Sequence, residues 1–245
     1  MKTSTFNTIV IVLAFVVGWV IFEFMLPQFI KDGGPLVIGL VALVIMLIAV
    51  IIERMLTLKK ANGRGTMAVF LKNVQQAVNA GDIDTALAAC DKQRGSCANV
   101  LHAGLERYKT IVEEGDVKGQ KELMESIQRS IEEATMLEVP MLERNLSMMS
   151  TIASIGTMVG LLGTVIGMIK SFSAMSRAGA PDAVQLALGI SEALINTAGG
   201  LIAGIGGIVA YNFFTTKIDN FTYMIDEASY SIVQSLVSRR PSKSR

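Results

Sequence analysis

The sequence is poor in charged residues, cysteine and histidine. Charged residues make up 18% of its 245 residues and the formal net charge is +1, whereas soluble domains average about 25% charged residues. A nearly neutral chain lacks the basic surface that nucleic acid phosphates require. Two cysteines, Cys90 and Cys97, show neither metal-ligand spacing nor a disulfide framework. We therefore expect no nucleic acid partner, no metal or other cofactor, and two reduced cytoplasmic thiols.

The sequence also lacks the motifs of the common enzyme classes. It contains no nucleophile elbow, no HExxH zinc motif and no phosphate-binding loop. The single histidine, His102, lies in a polar region without acidic or cysteine neighbours at metal-ligand spacing, which favours a surface or packing role. We predict that the protein is not an enzyme.

Apolar residues dominate four stretches of the chain. Hydrophobic residues make up 51% of the sequence and the mean hydropathy is +0.49. A membrane span needs roughly 20 residues, and the stretches cover residues 8–26, 35–52, 145–169 and 193–216. The first follows Lys2 as a signal peptide would, but no small-residue cleavage site follows it, so we expect it to be retained and either to span the membrane or to lie at its surface.

These stretches predict an all-α membrane protein. Its three to four transmembrane helices would include long helices that extend into a cytoplasmic helical domain. The expected segments are an N-terminal helix with a short periplasmic turn (1–34), a transmembrane helix (35–52), a cytoplasmic helical domain (53–142), a transmembrane helix (143–176), a periplasmic loop with a transmembrane helix (177–217) and a cytoplasmic helix with a basic tail (218–245).

The orientation follows from basic residues, which cytoplasmic loops collect. Five of them lie at or soon after the end of the second stretch: Arg54, Lys59, Lys60, Arg64 and Lys72. This side is predicted to be cytoplasmic, with both termini inside if the first stretch spans. Lys170 and Arg177 oppose the rule in the predicted outer loop, but they are outnumbered.

The polar middle of the chain reads as helical, without strand alternation. Asp82 is expected to cap a helix over residues 83–90 that Gly95 ends, and a second helix should cover residues 98–113. A third helix should begin near Lys118 and continue into the third apolar stretch. Its apolar stripe, at spacings of three and four residues, is expected to pack against other helices or subunits: Leu123, Ile127, Ile131, Ala134 and Leu137.

Small residues recur every three or four positions in the last two apolar stretches. Such faces allow helix backbones to touch in lipid and predict tight antiparallel pairing, or a ring of subunits. The third stretch has Gly156, Gly160, Gly163 and Gly167, and the fourth has Gly189, Ala193, Thr197, Gly200 and Gly204.

Four polar residues in or just before these stretches are candidates for an ion path, and a helix continued back from the fourth stretch to Ala183 would contain one of them, Glu192. An ionised side chain in hydrocarbon costs at least about 2.5 kcal/mol, so Glu192 needs a functional or structural reason. Asn196 lies one turn beyond it, and Thr164 and Thr197 add hydroxyl groups. Threonine in membrane helices also bonds to its own backbone, and asparagine often bridges helices, so both interpretations stay open.

Two of these segments carry a family resemblance. Residues 160–168 (GLLGTVIGM) with Phe172, and residues 189–201 (GISEALINTAGGL), resemble the third-helix and fourth-helix signatures of the ExbB/TolQ branch of the MotA/TolQ/ExbB proton-channel family. The similarity extends from about residue 34 to residue 230. Two features depart from the pattern, namely Thr157, where many relatives have proline, and the additional apolar stretch before Pro35.

The resemblance implies a proton-channel subunit in the bacterial inner membrane. It implies a homo-oligomeric ring, expected to be a pentamer, around a single-span ExbD/TolR-like partner that supplies the titrating aspartate. A TonB-like or TolA-like protein would carry the motion to the outer membrane. Thr164, Glu192 and Thr197 match the family positions that face the pore and the partner. TolQ-like envelope maintenance, a MotA-like motility stator and a non-conducting scaffold are the alternatives.

Overall fold

The computed structural model describes residues 3–114, 119–176 and 182–238. Within these ranges every regular element is an α-helix, which confirms the predicted all-α class. The helices are α1 (Thr3–Phe24), α2 (Gln28–Lys31), α3 (Leu36–Ala61), α4 (Met67–Ala80), α5 (Ile83–Gln93), α6 (Ser96–Glu114), α7 (Gln120–Glu143), α8 (Leu146–Met175) and α9 (Ala183–Ser238).

Three helical segments of the described chain are long and apolar enough to cross a membrane. They are Leu36–Ala61, Gln120–Met175, which includes both α7 and α8, and Ala183–Leu236, and they confirm three candidate spans at the second, third and fourth apolar stretches. The described side chains of α1 are apolar over Ile11–Phe24, which is shorter than a full span. Whether α1 crosses the membrane stays a prediction.

The chain forms two compact units. The first, here called the membrane unit, comprises Met1–Arg54 and Asn145–Phe214. The second, here called the polar unit, comprises Met55–Arg144 and Thr215–Arg245. Residues of α3 and α9 belong to both units, because each helix continues past the residue at which the division falls.

In the membrane unit, α3 packs against α1 and α9 through small residues. A methyl group added at Gly18 of α1 would lie 3.3 Å from the Ala42 nitrogen, and one added at Gly199 of α9 would lie 3.1 Å from Leu40 Cδ1. The outward faces of α8 and α9 are apolar instead, with Leu161 and Ile202 each about two thirds exposed (65% and 66%). Such faces suit lipid or neighbouring subunits.

The backbones of α8 and α9 touch along their glycines. A methyl group added at Gly160 would lie 2.9 Å from Gly200 Cα, and one added at Gly167 would lie 2.5 Å from the Gly189 oxygen. Pairing of Gly156 with Ala203 at one end and Gly167 with Gly189 at the other makes the helices antiparallel. We call this contact the glycine seam, and it comprises Gly156, Gly160, Gly163 and Gly167 of α8 with Gly189, Gly200 and Gly204 of α9.

In the polar unit, the predicted N-cap of α5 is confirmed, and the predicted C-cap is wrong. Asp82 Oδ1 accepts a hydrogen bond from the Thr85 backbone N–H at 2.9 Å, and hydrogen bonds from the Thr85 hydroxyl and N–H lower the pKa of Asp82. The residue that ends α5 in a left-handed conformation is Arg94, with φ of 51°. Gly95 has a different task, since any side chain there would meet the Ala61 oxygen, 2.5 Å from an added methyl group.

The apolar stripe of α7 is buried over only part of its length. Leu123, Ile127 and Ile131 are buried, and Ile131 packs on Gly104 of α6. Leu137 is 71% exposed in the single chain, so its packing against another helix or subunit stays a prediction. Leu142 is buried as well, and it lies about three turns beyond Ile131 on the same face of the helix.

The expected continuation of α7 into the third span is also wrong. The helix ends at Glu143, and α8 begins at Leu146. Between them Asn145 adopts a left-handed conformation with φ of 65°, which asparagine tolerates better than most residues. That conformation cannot be part of a right-handed helix, and it breaks the element at this point.

A test of the glycine seam is the change Gly160→Ala. The added methyl group would press on backbone atoms of α9, which cannot move aside as a side chain can, so we expect stability to fall by about 1 to 3 kcal/mol. The measurement is unfolding of the purified protein in detergent. The matched control is Gly39→Ala in α3, where an added methyl group has no atom within 4 Å. Equal unfolding transitions for the two variants would contradict close backbone contact.

The two cysteines should resist alkylation in the folded protein. Both are buried and free in the structure, and burial raises the pKa of Cys90 and of Cys97 from 9.0 to about 12. The reactive thiolate is then about a thousandfold rarer at neutral pH than in an exposed cysteine. We expect mass spectrometry to find no maleimide adduct on the native protein and two adducts after unfolding in denaturant. Rapid labelling of either native thiol at neutral pH would show that the burial is wrong.

Candidate functional site

Glu192 lies in the first three turns of α9, inside the membrane unit. The helix begins at Ala183, where Asp182 Oδ1 accepts hydrogen bonds from the Val184 and Gln185 N–H groups at 3.1 Å each. This places the beginning of α9 where the sequence predicted a helix extended back over Glu192. The glutamate is only 7% exposed, so its carboxylate must be neutralised by a partner.

That partner is Lys170 of α8. Its Nζ lies 2.7 Å from Glu192 Oε1 and 2.6 Å from Oε2, so the ammonium donates to both carboxylate oxygens. The side chain of Lys170 is 52% exposed, whereas that of Glu192 is 9% exposed. The charge pair therefore joins α8 to α9 near the Gly167 and Gly189 end of the glycine seam.

Asn196 lies one turn further along α9 and is fully buried. Its Nδ2 donates to the Glu192 backbone oxygen at 2.9 Å and to the Gly33 backbone oxygen at 2.7 Å. Within the part of the chain that the structure describes, its Oδ1 has no hydrogen-bond donor. The amide thus bridges α9 to the turn before α3, and its oxygen Oδ1 remains available to accept a hydrogen bond.

The turn at Gly33 and Gly34 covers this part of α9. Gly34 has φ of +74°, which favours glycine, and a methyl group added there would lie 2.7 Å from Glu192 Oε1. A methyl group added at Gly33 would lie 2.7 Å from Ile195 Cγ2. Both glycines are therefore required for the turn to lie directly against Glu192 and Ile195 of α9.

The two candidate threonines lie on the same pair of helices but bond locally. The Thr164 hydroxyl donates to the Leu161 oxygen at 2.6 Å, and the Thr197 hydroxyl donates to the Ala193 oxygen at 2.9 Å. Both side chains are half-buried. Among the described residues no hydrogen bond joins either hydroxyl to Glu192, so the structure brings together Glu192 and Asn196 and leaves the threonines separate. Each hydroxyl oxygen can still accept a hydrogen bond from a visiting group.

Thr157, which departs from the family pattern, also bonds locally. Its Oγ1 donates to the Ala153 oxygen at 3.1 Å and lies against Gly204 of the seam. Back-bonding of this kind tends to bend helices slightly. The Thr157 hydroxyl thus packs between α8 and α9, and α8 remains a continuous helix at this residue.

A second buried polar cluster lies elsewhere in the membrane unit. Arg54 is 1% exposed, and its Nη2 lies 2.6 Å from Glu53 Oε1. Glu53 Oε2 also accepts from Asn145 Nδ2 at 3.2 Å. The sequence predicted only a membrane exit at Glu53 and Arg54, whereas the structure shows that Glu53, which also pairs with Arg54, joins α3 to the beginning of α8.

Sequence reasoning missed Lys170 and the two turn glycines as parts of the Glu192 environment. Lys170 was treated only as an exception to the charge rule for orientation. A usable signal existed, because antiparallel pairing through Gly167 and Gly189 brings residues just after 167 beside residues near 189. Opposite charges at such positions predict an ion pair. The packing of the turn on α9 joins residues distant in sequence and had no local signal.

Among the described residues of the polar unit, the single histidine does not form a comparable site. His102 is about one third exposed (32%), with Nε2 3.7 Å from an Asp91 oxygen and Nδ1 3.6 Å from a Glu106 oxygen. These are surface contacts of an ordinary charged helix. Among the described residues, no group of three histidine, cysteine or acidic side chains is arranged to hold a metal ion.

Comparison with known proteins identifies the relatives of this arrangement. A biopolymer transport protein named ExbB-like 3, from Synechocystis, is 33% identical over 87 residues, which are 35% of this chain and 41% of that protein. The Tol-Pal system protein TolQ of Pseudomonas aeruginosa is 33% identical over 118 residues, which are 48% of this chain and 51% of that protein. The chain thus spans about half the length, or less, of these curated relatives.

The family match covers a larger part of the chain. The sequence profile described as the MotA/TolQ/ExbB proton channel family matches residues 92–227, more than half of the 245 residues. The matched region contains Lys170, Glu192, both candidate threonines and the whole glycine seam. A proton channel family is a family of transport components, which confirms the expectation that the protein is not an enzyme. The chain is a multi-pass membrane protein that belongs to the MotA/TolQ/ExbB proton channel family.

Proposed function

We propose that the chain is the multi-span subunit of an inner-membrane motor of the ExbB/TolQ type. In this proposal it uses the proton motive force, together with an ExbD/TolR-like single-span partner, to drive TonB-dependent transport across the outer membrane. The subunit assembles as a homo-oligomeric ring, with five copies as the expected number. A TonB-like or TolA-like protein carries the motion onward.

The observation that carries this proposal is the buried carboxylate of Glu192 between two helices whose backbones touch. Burying a charge at such a place costs free energy, so the presence of one supports a functional role. The pairing with Lys170 and the bridge from Asn196 hold the carboxylate in one position. A rigid, charged element of this kind can orient a partner helix whose own acid takes up and releases protons.

The half-buried hydroxyls of Thr164 and Thr197 complete the proposed path. Each has its hydrogen committed to a backbone oxygen of its own helix, so its oxygen is free to accept. A protonated carboxyl group of a partner helix could donate to such an oxygen. Each proton that crosses a potential of 100 mV releases about 2.3 kcal/mol, which is available for motion of the partner.

The TolQ-like role in envelope maintenance is the second candidate. It is favoured by one observation, since the similarity to the Tol-Pal system protein covers a longer part of this chain than the similarity to the ExbB-like protein. A MotA-like motility stator would use the same proton chemistry with another output. A non-conducting scaffold would need only the glycine seam.

The change Glu192→Ala should abolish growth on a scarce nutrient taken up by TonB-dependent transport, and Thr164→Val should reduce it strongly. The first leaves Lys170 without its carboxylate partner, and the second removes a proton acceptor. Growth is measured in a strain lacking the chromosomal copy, with the variant protein quantified in membranes.

A matched control for the threonine is Thr151→Val. The Thr151 hydroxyl also donates to a backbone oxygen four residues earlier in α8, but the residue is exposed and lies outside the proposed path. Normal growth of both Thr164→Val and Glu192→Ala would overturn the proposal. Outer-membrane leakage with intact nutrient uptake would assign the Tol role, and loss of motility alone would assign the stator role.

Proton conduction separates a motor from a scaffold. Liposomes that contain the chain and its single-span partner should acidify under an imposed potential, and replacement of the partner's membrane aspartate by asparagine should abolish the flux. A pH-sensitive dye inside the liposomes gives the rate. If the assembled complex conducts no more protons than empty liposomes, the scaffold interpretation is correct.

A further inference from the structure

The ion pair between Lys170 and Glu192 is asymmetric in its exposure. The carboxylate is almost fully buried, with 9% of its side chain exposed, while 52% of the lysine side chain is exposed. Both carboxylate oxygens are engaged by the same ammonium, at 2.7 Å and 2.6 Å. Both contacts are charge-assisted hydrogen bonds, which are shorter and stronger than neutral ones.

The other neighbours of Glu192 restrict its movement. Gly34 lies directly against Oε1, where even a methyl group would be too close. The Glu192 backbone oxygen accepts from Asn196, whose amide is also bonded to Gly33. A carboxylate enclosed by a turn on one side and an ammonium on the other has little room to swing between two proton-exchange partners.

A proton carrier needs the opposite properties. It has to exist as an acid and as a base during each cycle, with a proton donor on one side and an acceptor on the other. Protonation of Glu192 would remove the charge with which Lys170 is paired and leave the ammonium beside a neutral group. Among the described residues Glu192 also forms no hydrogen bond with the threonine hydroxyls, each of which donates to a backbone oxygen of its own helix.

We propose that Lys170 is a positioning residue for Glu192, and that it holds this carboxylate in one place as a fixed element of the site rather than as a carrier of the transported proton. This inference rests on the proposed function and refines it, because the travelling proton is then carried by the partner's acid and the threonine oxygens alone. The pair acts by holding the Glu192 side chain in place between α8 and α9, and what impairs the site is one buried charge left without its partner.

The test uses the complete chain with its partner in liposomes, and proton flux is the readout. Lys170→Met keeps the length of the side chain but removes the charge, and should lower flux at least about tenfold because a lone buried carboxylate remains. Lys170→Arg retains a charged donor and should stay within about threefold of wild type. The double variant Lys170→Met with Glu192→Gln should recover most of the flux lost in the single variant.

The double variant decides between the two roles. If Glu192 carries the proton, a glutamine there cannot do so, and the double variant will conduct as poorly as Lys170→Met. If the pair is a fixed element, removing both charges leaves a neutral, enclosed site without an unpaired charge, and the double variant will conduct better than Lys170→Met. Failure of the double variant to exceed Lys170→Met, or wild-type flux in Lys170→Met, would overturn the inference.

Infrared spectroscopy reports the charge state directly. The difference spectrum between wild type and Glu192→Gln should show loss of an ionised carboxylate band, with and without a proton gradient. A protonated carboxyl band that disappears in Glu192→Gln would contradict the fixed charge.

Two controls separate this inference from the proposed function. The first control is Lys31→Met, which removes another ammonium group of the membrane unit. The Lys31 ammonium donates to the Glu23 backbone oxygen and not to a carboxylate, so its removal should leave flux unchanged. Absence of flux in the wild-type complex would overturn the proposed function itself. Normal wild-type flux that does not respond to changes at Lys170 would overturn only the positioning role.

Discussion

Direct contact between the backbones of α8 and α9 is the constraint on which the rest of the membrane unit depends. Where Gly160 meets Gly200, no side chain separates the two helices. Lipid offers no hydrophobic drive for helices to associate, so close packing of this kind has to supply the attraction. The contact also fixes the register of the helices, and that register determines which polar groups of α8 and α9 can reach one another.

The polar groups follow from this register. Gly167 against Gly189 brings Lys170 within reach of Glu192, and Gly163 against Asn196 places the amide at the centre of the unit. Because α8 and α9 leave almost no space between them, water has little access to the buried carboxylate. A single lysine and a glycine turn therefore satisfy a charge that a looser helix pair would expose to solvent.

Much of the fold was predictable because membrane helices have strong local signals. Length and hydropathy located α3, α8 and α9, and Asp82 marked the beginning of α5. The break at Asn145 was not predictable, since the residues on both sides favour helix and only φ of 65° at one residue interrupts it. The exposure of Leu137 depends on which α7 residues meet α6, a tertiary property that periodicity alone does not fix.

Two residues of the candidate site, Glu192 and Asn196, were predictable from the sequence, whereas their contacts with other segments were not. Glu192 attracted attention because an acid in an apolar stretch is expensive, and Asn196 because it lies one turn away. Lys170 and the Gly33 and Gly34 turn became visible only with the helix register and the chain path in three dimensions. Local periodicity identifies which residues share one helix face, but contacts between segments some 160 residues apart have no signature in a single sequence.

The hydrogen bond from the Asn196 amide to the Gly33 oxygen couples movement of the loop before α3 to movement of α9. A single hydrogen bond ties them, because the other bond of this side chain goes to the Glu192 oxygen within α9. Rotation of α9 about its axis must therefore either move the loop or break the bond to Gly33. A spin label or fluorophore attached to that loop, for example at Asp32, would register motion of α9 without any probe among the buried residues.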